Sequence, residues 1–448
     1  MSNVSHYTPH FASALSRARF GLTLLLCFHI VACCLSLIYV AEFYSGYQFV
    51  WFDKTRLYVA ALSVALFAVG SLLFALSRFS FGYILGFYFY TMILGYLWLA
   101  AFSQFNYDHT LASVSAFASA WAFLVPALLI TSPIKQRIIL SARAMDILLS
   151  FILVFATTII AVAALYNFRL IGIGDIYNFR DGLEFPAWLK YAMGATANAG
   201  LPFAFACFVA LGNRWRAAVV LLLLLLFYPI TLTKLTLFAP FWLLFLALLS
   251  RFLEARTSVV LSLFLPISAG VILAFLLNSN AFPGAHFIDY FGTINFRMIA
   301  LPSIALDYYN LFFTTHAFTH YCQIFLLKPF VECPYNEQLA LVMAKAYQIG
   351  NMNASLFATE GIASVGVVLA PLAALACGLV ISLANRLASG LPSNFILLSG
   401  GILPQVFLNV PLTTTLLTNG AAVLFLLWYV TPRAIFEQTT SKPTALGP

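Results

Sequence analysis

The sequence predicts an all-α, polytopic helical membrane protein, and three observations carry that prediction. The chain is 63% hydrophobic and 8% charged, with a mean hydropathy of +0.97, whereas soluble domains carry about 25% charged residues. Apolar runs long enough to cross a bilayer, which takes about 20 residues in a helix, recur along the whole chain. Those runs, such as "AAVVLLLLLLFYPI", lack the alternation over about ten residues that a spanning strand would show.

Twelve spans follow in order, at 20–43, 57–77, 81–103, 111–132, 145–166, 191–212, 216–231, 236–251, 258–279, 362–385, 393–411 and 415–432. Two divisions rest on little. Only "PITLTK" interrupts 216–251, which reads equally as one helix with a re-entrant kink, and only "NVPLTT" separates the last pair. With twelve alternating spans, Arg17, Arg19, Arg78, Lys135, Arg137, Arg143, Arg214, Arg216, Arg251, Arg256, Arg386 and Arg433 share one side. Lys and Arg concentrate in cytoplasmic loops, so that side is the cytoplasm and both termini lie there. The first apolar segment outruns the roughly 7–15 residues of a signal peptide and is expected to stay as an anchor.

The whole of 1–448 therefore reads as a single integral membrane domain, with 280–361 as a large exterior cap between the ninth and tenth spans. Loops beyond about 12–15 residues are usually functional or disordered. This one is rich in Phe, Tyr, Leu and Ile, which disordered segments lack. Within it, "PYNEQLALVMAKAY" has Asn336 as a candidate N-cap and Leu339, Val342, Met343 and Tyr347 at helical spacing, which predicts a short amphipathic helix lying on the bundle. Cys322 and Cys333 both fall in the cap, and an oxidising exterior compartment favours their pairing as a disulfide. The net charge of +8 is spread over loops with no run that would track a phosphate backbone, so no nucleic-acid partner is expected.

Several chemistries fail on their motifs. The "GIG" of the first long exterior loop, 167–190, is too short for a dinucleotide fingerprint, and no GxSxG elbow supports a serine hydrolase. His316 and His320 in "HAFTH" have a spacing that would hold zinc on a helix, but Ala317 stands where a metalloprotease needs glutamate and no third ligand lies nearby. No metal or other cofactor is expected; the two histidines remain candidates for catalysis or for hydrogen bonding at the surface. An anion site is better supported, because Arg180, Lys190, Lys234 and Arg297 stand on exterior loops, against the positive-inside tendency. Lys234, in "YPITLTKLTLFAPFW", must snorkel or face a polar cavity. Glu360 enters lipid at the head of a span, where it is either a proton-accepting carboxylate or a helix-start residue favoured by the N-terminal dipole.

The stretch "NMNASLFATEGIASVG", leading into a span that ends "ISLANR", resembles the O-antigen and oligosaccharide repeat-unit polymerases, the Wzy type. Members carry an Asn-rich, small-residue stretch and then an acidic residue at the exit of the largest periplasmic loop; Asn351, Asn353, Ala354, Glu360 and Gly366 occupy comparable places here. The phrase "EGIAS" departs from the family's more usual acidic-small-aromatic run, and the basic turn has lysine where members often have arginine. The resemblance implies a GT-C-like glycosyltransferase of the bacterial inner membrane, acting at the periplasmic face on a polyprenyl-diphosphate-linked glycan, with a chain-length regulator as a further partner. It also implies roles. Lys234, Arg297 and Arg180 would hold the departing diphosphate, Glu360 or Asp307 would take the acceptor's proton, and aromatic residues including Trp188, Tyr308 and Tyr309 would line a sugar path. An O-antigen ligase, a transferase using monophosphate-linked sugars and a lipid-linked glycan flippase or transporter remain the alternatives.

Overall fold

Helix starts follow the side chains that can cap them. Ser80, Asp108, Ser141, Asn213 and Thr233 each stand at an N-cap and accept a hydrogen bond from a backbone N–H of the first turn. The computed structural model describes residues 8–44, 50–172, 174–180, 182–278, 289–324, 327–349 and 354–436. In chain order its helices are α1 (Thr8–Phe43), α2 (Leu57–Ala68), α3 (Ser71–Leu76), α4 (Phe81–Leu99), α5 (His109–Leu129), α6 (Ala142–Ala164), α7 (Ile176–Arg180), α8 (Ala187–Ala195), α9 (Leu201–Ala210), α10 (Arg214–Leu226), α11 (Tyr228–Thr231), α12 (Lys234–Phe252) and α13 (Ala255–Asn278). There follow α14 (Leu301–Phe312), α15 (Leu339–Tyr347), α16 (Ala363–Ala388), α17 (Ser393–Gly400), α18 (Leu403–Phe407), α19 (Leu412–Leu417) and α20 (Ala421–Val430). Three π-helical segments, Thr196–Gly200, Gly292–Ala300 and Phe357–Ile362, run directly into α9, α14 and α16.

Among the described residues, ten helical stretches are long and apolar enough to cross a membrane. The chain is an all-α, multi-pass membrane protein. Its axis is α4, all of whose residues are buried, as expected of a helix that is apolar all round. Peripheral helices instead turn large apolar side chains outward, among them Ile147 and Val154 of α6 and Leu244 and Leu248 of α12, which is the face lipid covers.

The twelve expected spans resolve into these ten plus a broken remainder. The 216–251 division is real: α11 ends at Leu232 in the left-handed region (φ 48°) and Thr233 caps α12. The last two expected spans, 393–411 and 415–432, are not continuous helices but the short pieces α17 to α20. The sequence carries the reason in Gly400, Gly401, Pro404, Pro411 and Gly420, since proline removes a helical N–H and glycine weakens the interior of a helix.

The tenth stretch, Phe357–Ala388, is a hairpin. Gly366 has φ 77° and ψ 166°, a break between two helices. Across it a Cβ at Gly361 would lie 3.3 Å from the Cβ of Ala370, although nine residues of straight helix would separate those positions by about 13 Å. The segment from 357 to 365 therefore dips into the bundle and returns to Gly366, from which the rest of α16 crosses. Thr319 of the cap donates its N–H to the Ala363 carbonyl at 2.8 Å, and its hydroxyl meets that of Ser364 at 3.0 Å.

The cap is sunk into the bundle rather than laid over it. Its longest helix, Gly292–Ala300 continued by α14, is tied to α1 and α13 by Asn295, whose Nδ2 donates to Ser36 Oγ at 2.9 Å and to the Ile267 carbonyl at 3.0 Å. Ser303 Oγ donates to the Met92 carbonyl of α4 at 2.8 Å. Gly95 permits that approach, because a Cβ there would stand 2.5 Å from Ser303 Oγ. The amphipathic cap helix forms as α15 and buries Leu339 and Met343, but Gln338, not Asn336, occupies its N-cap. Asn336 lies in the loop before it, exposed.

Candidate functional site

The turn before α12 gathers polar groups at the cap face. Thr233 Oγ1 meets Thr236 Oγ1 at 2.8 Å, and Thr231 Oγ1 meets Thr236 Oγ1 at 2.9 Å. Lys234 follows the N-cap directly, so its ammonium and the positive end of the helix dipole act in the same place. The first exterior loop is fastened to this turn. Asn167 Nδ2 donates to the Pro229 and Ile230 carbonyls at 3.2 and 2.8 Å, and Tyr228 OH donates to the Ile171 carbonyl at 2.5 Å. Ile176 of α7 packs on Tyr228 and Leu232. Arg180 lies four residues on, one helical turn along the same face, and is exposed.

The second exterior loop reaches the same turn from the other side. Lys234 lies within electrostatic range of Arg297 and Asp289, and both of those also act on Tyr44. Burial pushes the Tyr44 hydroxyl above its ordinary range, the Arg297 guanidinium pulls it back and Asp289 opposes that pull. Lys234 and Arg297 thus act on each other from separate elements, while Lys190 and Trp188 stand exposed on α8. Asn351, Asn353 and Asp181 lie outside the described residues.

Glu360 sits on the descending arm of the hairpin, 6% exposed. Its Oε1 accepts from the Thr413 backbone N–H at 3.2 Å, and its Oε2 accepts from Thr359 Oγ1 at 2.6 Å. The carboxylate thus caps the first turn of α19 from another part of the chain. The helix start it meets is that of α19, not that of Glu360's own helix.

Asp307, on α14, is 4% exposed and forms the core of a second polar group. Ser103 Oγ donates to its Oδ2 at 2.7 Å, and Tyr107 OH donates to its Oδ1. Burial pushes the carboxyl above the ordinary carboxylate range, and the hydrogen bonds from Tyr107 and Ser103 oppose that rise. Tyr308 and Tyr309, expected along a sugar path, are fully buried instead. Tyr308 packs edge-on to Phe105 and Tyr347, with ring centroids 4.8 and 5.0 Å away, and Tyr309 packs against Phe313 at 6.0 Å. An apolar ring one turn from a core helix position packs inward unless something holds it out.

His316 and His320 follow the end of α14 in irregular chain, and His320 has φ 46°. The helical spacing that would have aimed both rings at one ion is not formed. His316 stacks on Phe312 at 3.8 Å with its Nδ1 2.9 Å from the Phe312 carbonyl, and both histidines are exposed. Cys322 and Cys333 are disulfide-bonded, closing a short loop beside the Thr319 anchor.

Sequence reasoning missed Ser103, Tyr107, Asp289 and Thr413. The loop "SQFNYDHT" offers polar side chains directly after a wholly buried helix, the one local signal for Tyr107; nothing near Thr413 announces Glu360. Fold and site define the class, an all-α multi-pass membrane protein with a cationic turn and two buried carboxylates towards its cap face. No protein-family model, curated protein or solved structure matches the chain.

Proposed function

We propose that the protein is a glycosyltransferase that polymerises polyprenyl-diphosphate-linked oligosaccharide repeat units, working at the cap face with that face outside a bacterial inner membrane. The observation that supports this most directly is the approach of Lys234 and Arg297 from two elements, at a helix start lined by three threonine hydroxyls. Both cations attract an anion placed between them, and a diphosphate suits the pair, with arginine matching its oxygens in a fork and lysine acting as a point charge.

In the reaction, an acceptor hydroxyl oxygen bonds to the anomeric carbon of the growing chain. The bond from that carbon to the diphosphate oxygen breaks, the electron pair leaves on the diphosphate, and the hydroxyl proton passes to a base. Fixed cations lower the barrier because charge grows on the leaving group. Purified protein in lipid nanodiscs, given a synthetic polyprenyl-diphosphate-linked repeat, should build a glycan ladder. Lys234→Ala and Arg297→Ala should each lower kcat/KM by roughly 10²-fold or more. Unchanged ladders in both variants would remove the diphosphate site.

One observation favours a second reading, a lipid-linked glycan flippase. Glu360 is buried at the start of α19, within a run of broken helices, and discontinuous helices with carboxylates at depth are a feature of transporters. The same nanodisc assay separates the two, since a flippase moves the lipid and forms no glycosidic bond.

A further inference from the structure

Asp307 ends a chain of hydrogen bonds whose direction is determined by its members. Asn310 Nδ2 can only donate, and it does so to Tyr96 OH at 3.1 Å. Tyr107 spends its single proton on Asp307 Oδ1, so the contact between Tyr96 OH and Tyr107 OH at 3.2 Å carries the proton of Tyr96 toward Tyr107. On the other carboxylate oxygen, Ser103 Oγ accepts from the Phe105 N–H at 3.3 Å and donates to Oδ2. Every donor therefore points at Asp307. Of the two side chains that donate to the carboxylate, Ser103 is buried and Tyr107 is partly exposed. The surroundings of Tyr107 are Tyr96 of α4, Asp307 and Tyr308 of α14, and His109 of α5, whose ring lies 4.0 Å away; Asp108 beside it caps α5, and Tyr347 of α15 packs edge-on to Tyr308. His109 Nε2 lies 2.8 Å from the Phe105 carbonyl, to which that ring N–H donates.

We propose that Tyr107 is a catalytic residue, receiving the proton of the acceptor sugar hydroxyl while handing its own to Asp307. The proposal rests on the transferase reading above and names the proton path within it. The acceptor O–H bond breaks as the oxygen bonds to the anomeric carbon; the proton goes to the Tyr107 oxygen, the Tyr107 proton goes to Asp307 Oδ1, and the diphosphate carries away the electron pair. The two transfers are concerted, because burial, with Tyr96 and Asp307 beside it, holds the Tyr107 hydroxyl far above the ordinary phenol range. A free tyrosinate does not accumulate. Arg297 and Asp307 belong to one continuous helical run, ten residues apart.

The test is initial rate against pH for the nanodisc protein. The base must be ionised, so the wild-type rate falls as pH drops through the raised Asp307 value, at a higher pH than for an ordinary carboxylate. Tyr107→Phe and Asp307→Asn should each lower kcat by roughly 10²–10⁴-fold with KM changing less, and the double variant should be no slower than the slower single one, as for groups acting as a unit. Ser103→Ala, which leaves the relay itself intact, should move the acid limb to higher pH by removing a bond to the carboxylate. Wild-type kcat in Tyr107→Phe, or an unmoved limb in Ser103→Ala, overturns the relay, and the transferase reading stands if Lys234→Ala still loses activity. If wild type forms no glycosidic bond, that reading fails and the relay, which needs an acceptor hydroxyl as its proton source, falls with it.

Discussion

Glu360 and Asp307 are both buried carboxylates, yet their partners assign them different work. Glu360 accepts from a backbone N–H and a threonine hydroxyl, groups that hold a carboxylate in place at the start of α19. A glutamine keeps an oxygen where Oε1 stands, so Glu360→Gln should retain most of the ladder. Glu360→Ala leaves the start of α19 unpaired and should cost about 1–3 kcal/mol, read as a lowered unfolding temperature of the detergent-solubilised protein. A pH-dependent loss of rate in Glu360→Gln at unchanged stability would return Glu360 to the role of base. The sequence alone made Glu360 visible, because a carboxylate beside a long apolar run is rare. It gave no hint of Thr413, since a cap supplied across 53 residues has no local pattern. Lys234 was legible for the opposite reason: its threonines and its helix start are neighbours in the chain. Arg297 could be counted as an unexplained exterior cation, but its approach to Lys234 depends on how deeply the cap helix is seated.

At the scale of elements, spans such as 81–103, 111–132 and 145–166 were readable because each is a long apolar run with a capping side chain near its start, Ser80, Asp108 and Ser141. The failures came where a run hides a reversal. The stretch from 357 to 388 has the composition of one helix, and its Gly361, Gly366, Pro371 and Gly378 do not say which of them turns the chain; a glycine inside an apolar run is as compatible with a continuous helix as with a turn. The Gly366 φ of 77° is costly for a residue with a Cβ, and that Cβ would lie 2.8 Å from the Phe318 ring. Gly366→Ala should therefore destabilise through both strain and overlap, by about 2–4 kcal/mol, and should loosen the Thr319 anchor of the cap. Gly212→Ala separates the two causes: φ there is also positive, at 72°, but no atom lies within 4 Å, so about 1–2 kcal/mol of backbone strain is expected alone. Thermal unfolding of both variants gives the comparison. Equal shifts would mean that Phe318 moves aside freely and that the hairpin turn tolerates a side chain.

The whole molecule has two unlike ends. At one, Arg386 Nε donates to the Ser132 carbonyl at 3.2 Å, Arg256 Nη1 to that of Ser77 at 3.4 Å, and Arg433 to those of Trp428, Thr431, Leu387 and Ser389 at 2.6–3.0 Å. Burial brings the Arg433 guanidinium down to about 10, still charged at neutral pH. These arginines close helix C-termini as well as marking a side of the membrane, which joins topology to stability in the same residues. At the other end stand the cap, its disulfide and the Lys234 turn. Basic loops concentrate in the cytoplasm and a disulfide persists where the compartment is oxidising, so both features support the proposed orientation with the cap outside. In a background free of the native unpaired cysteines, an impermeant maleimide should label Thr315→Cys in intact spheroplasts and reach Ser132→Cys only after lysis; both positions are exposed, one at each end. The reverse pattern would place Lys234 and Arg297 in the cytoplasm, leave the disulfide in a reducing compartment, and remove the lipid-linked polymer as substrate, because a donor presented at the outer leaflet cannot reach a cationic turn on the inner one.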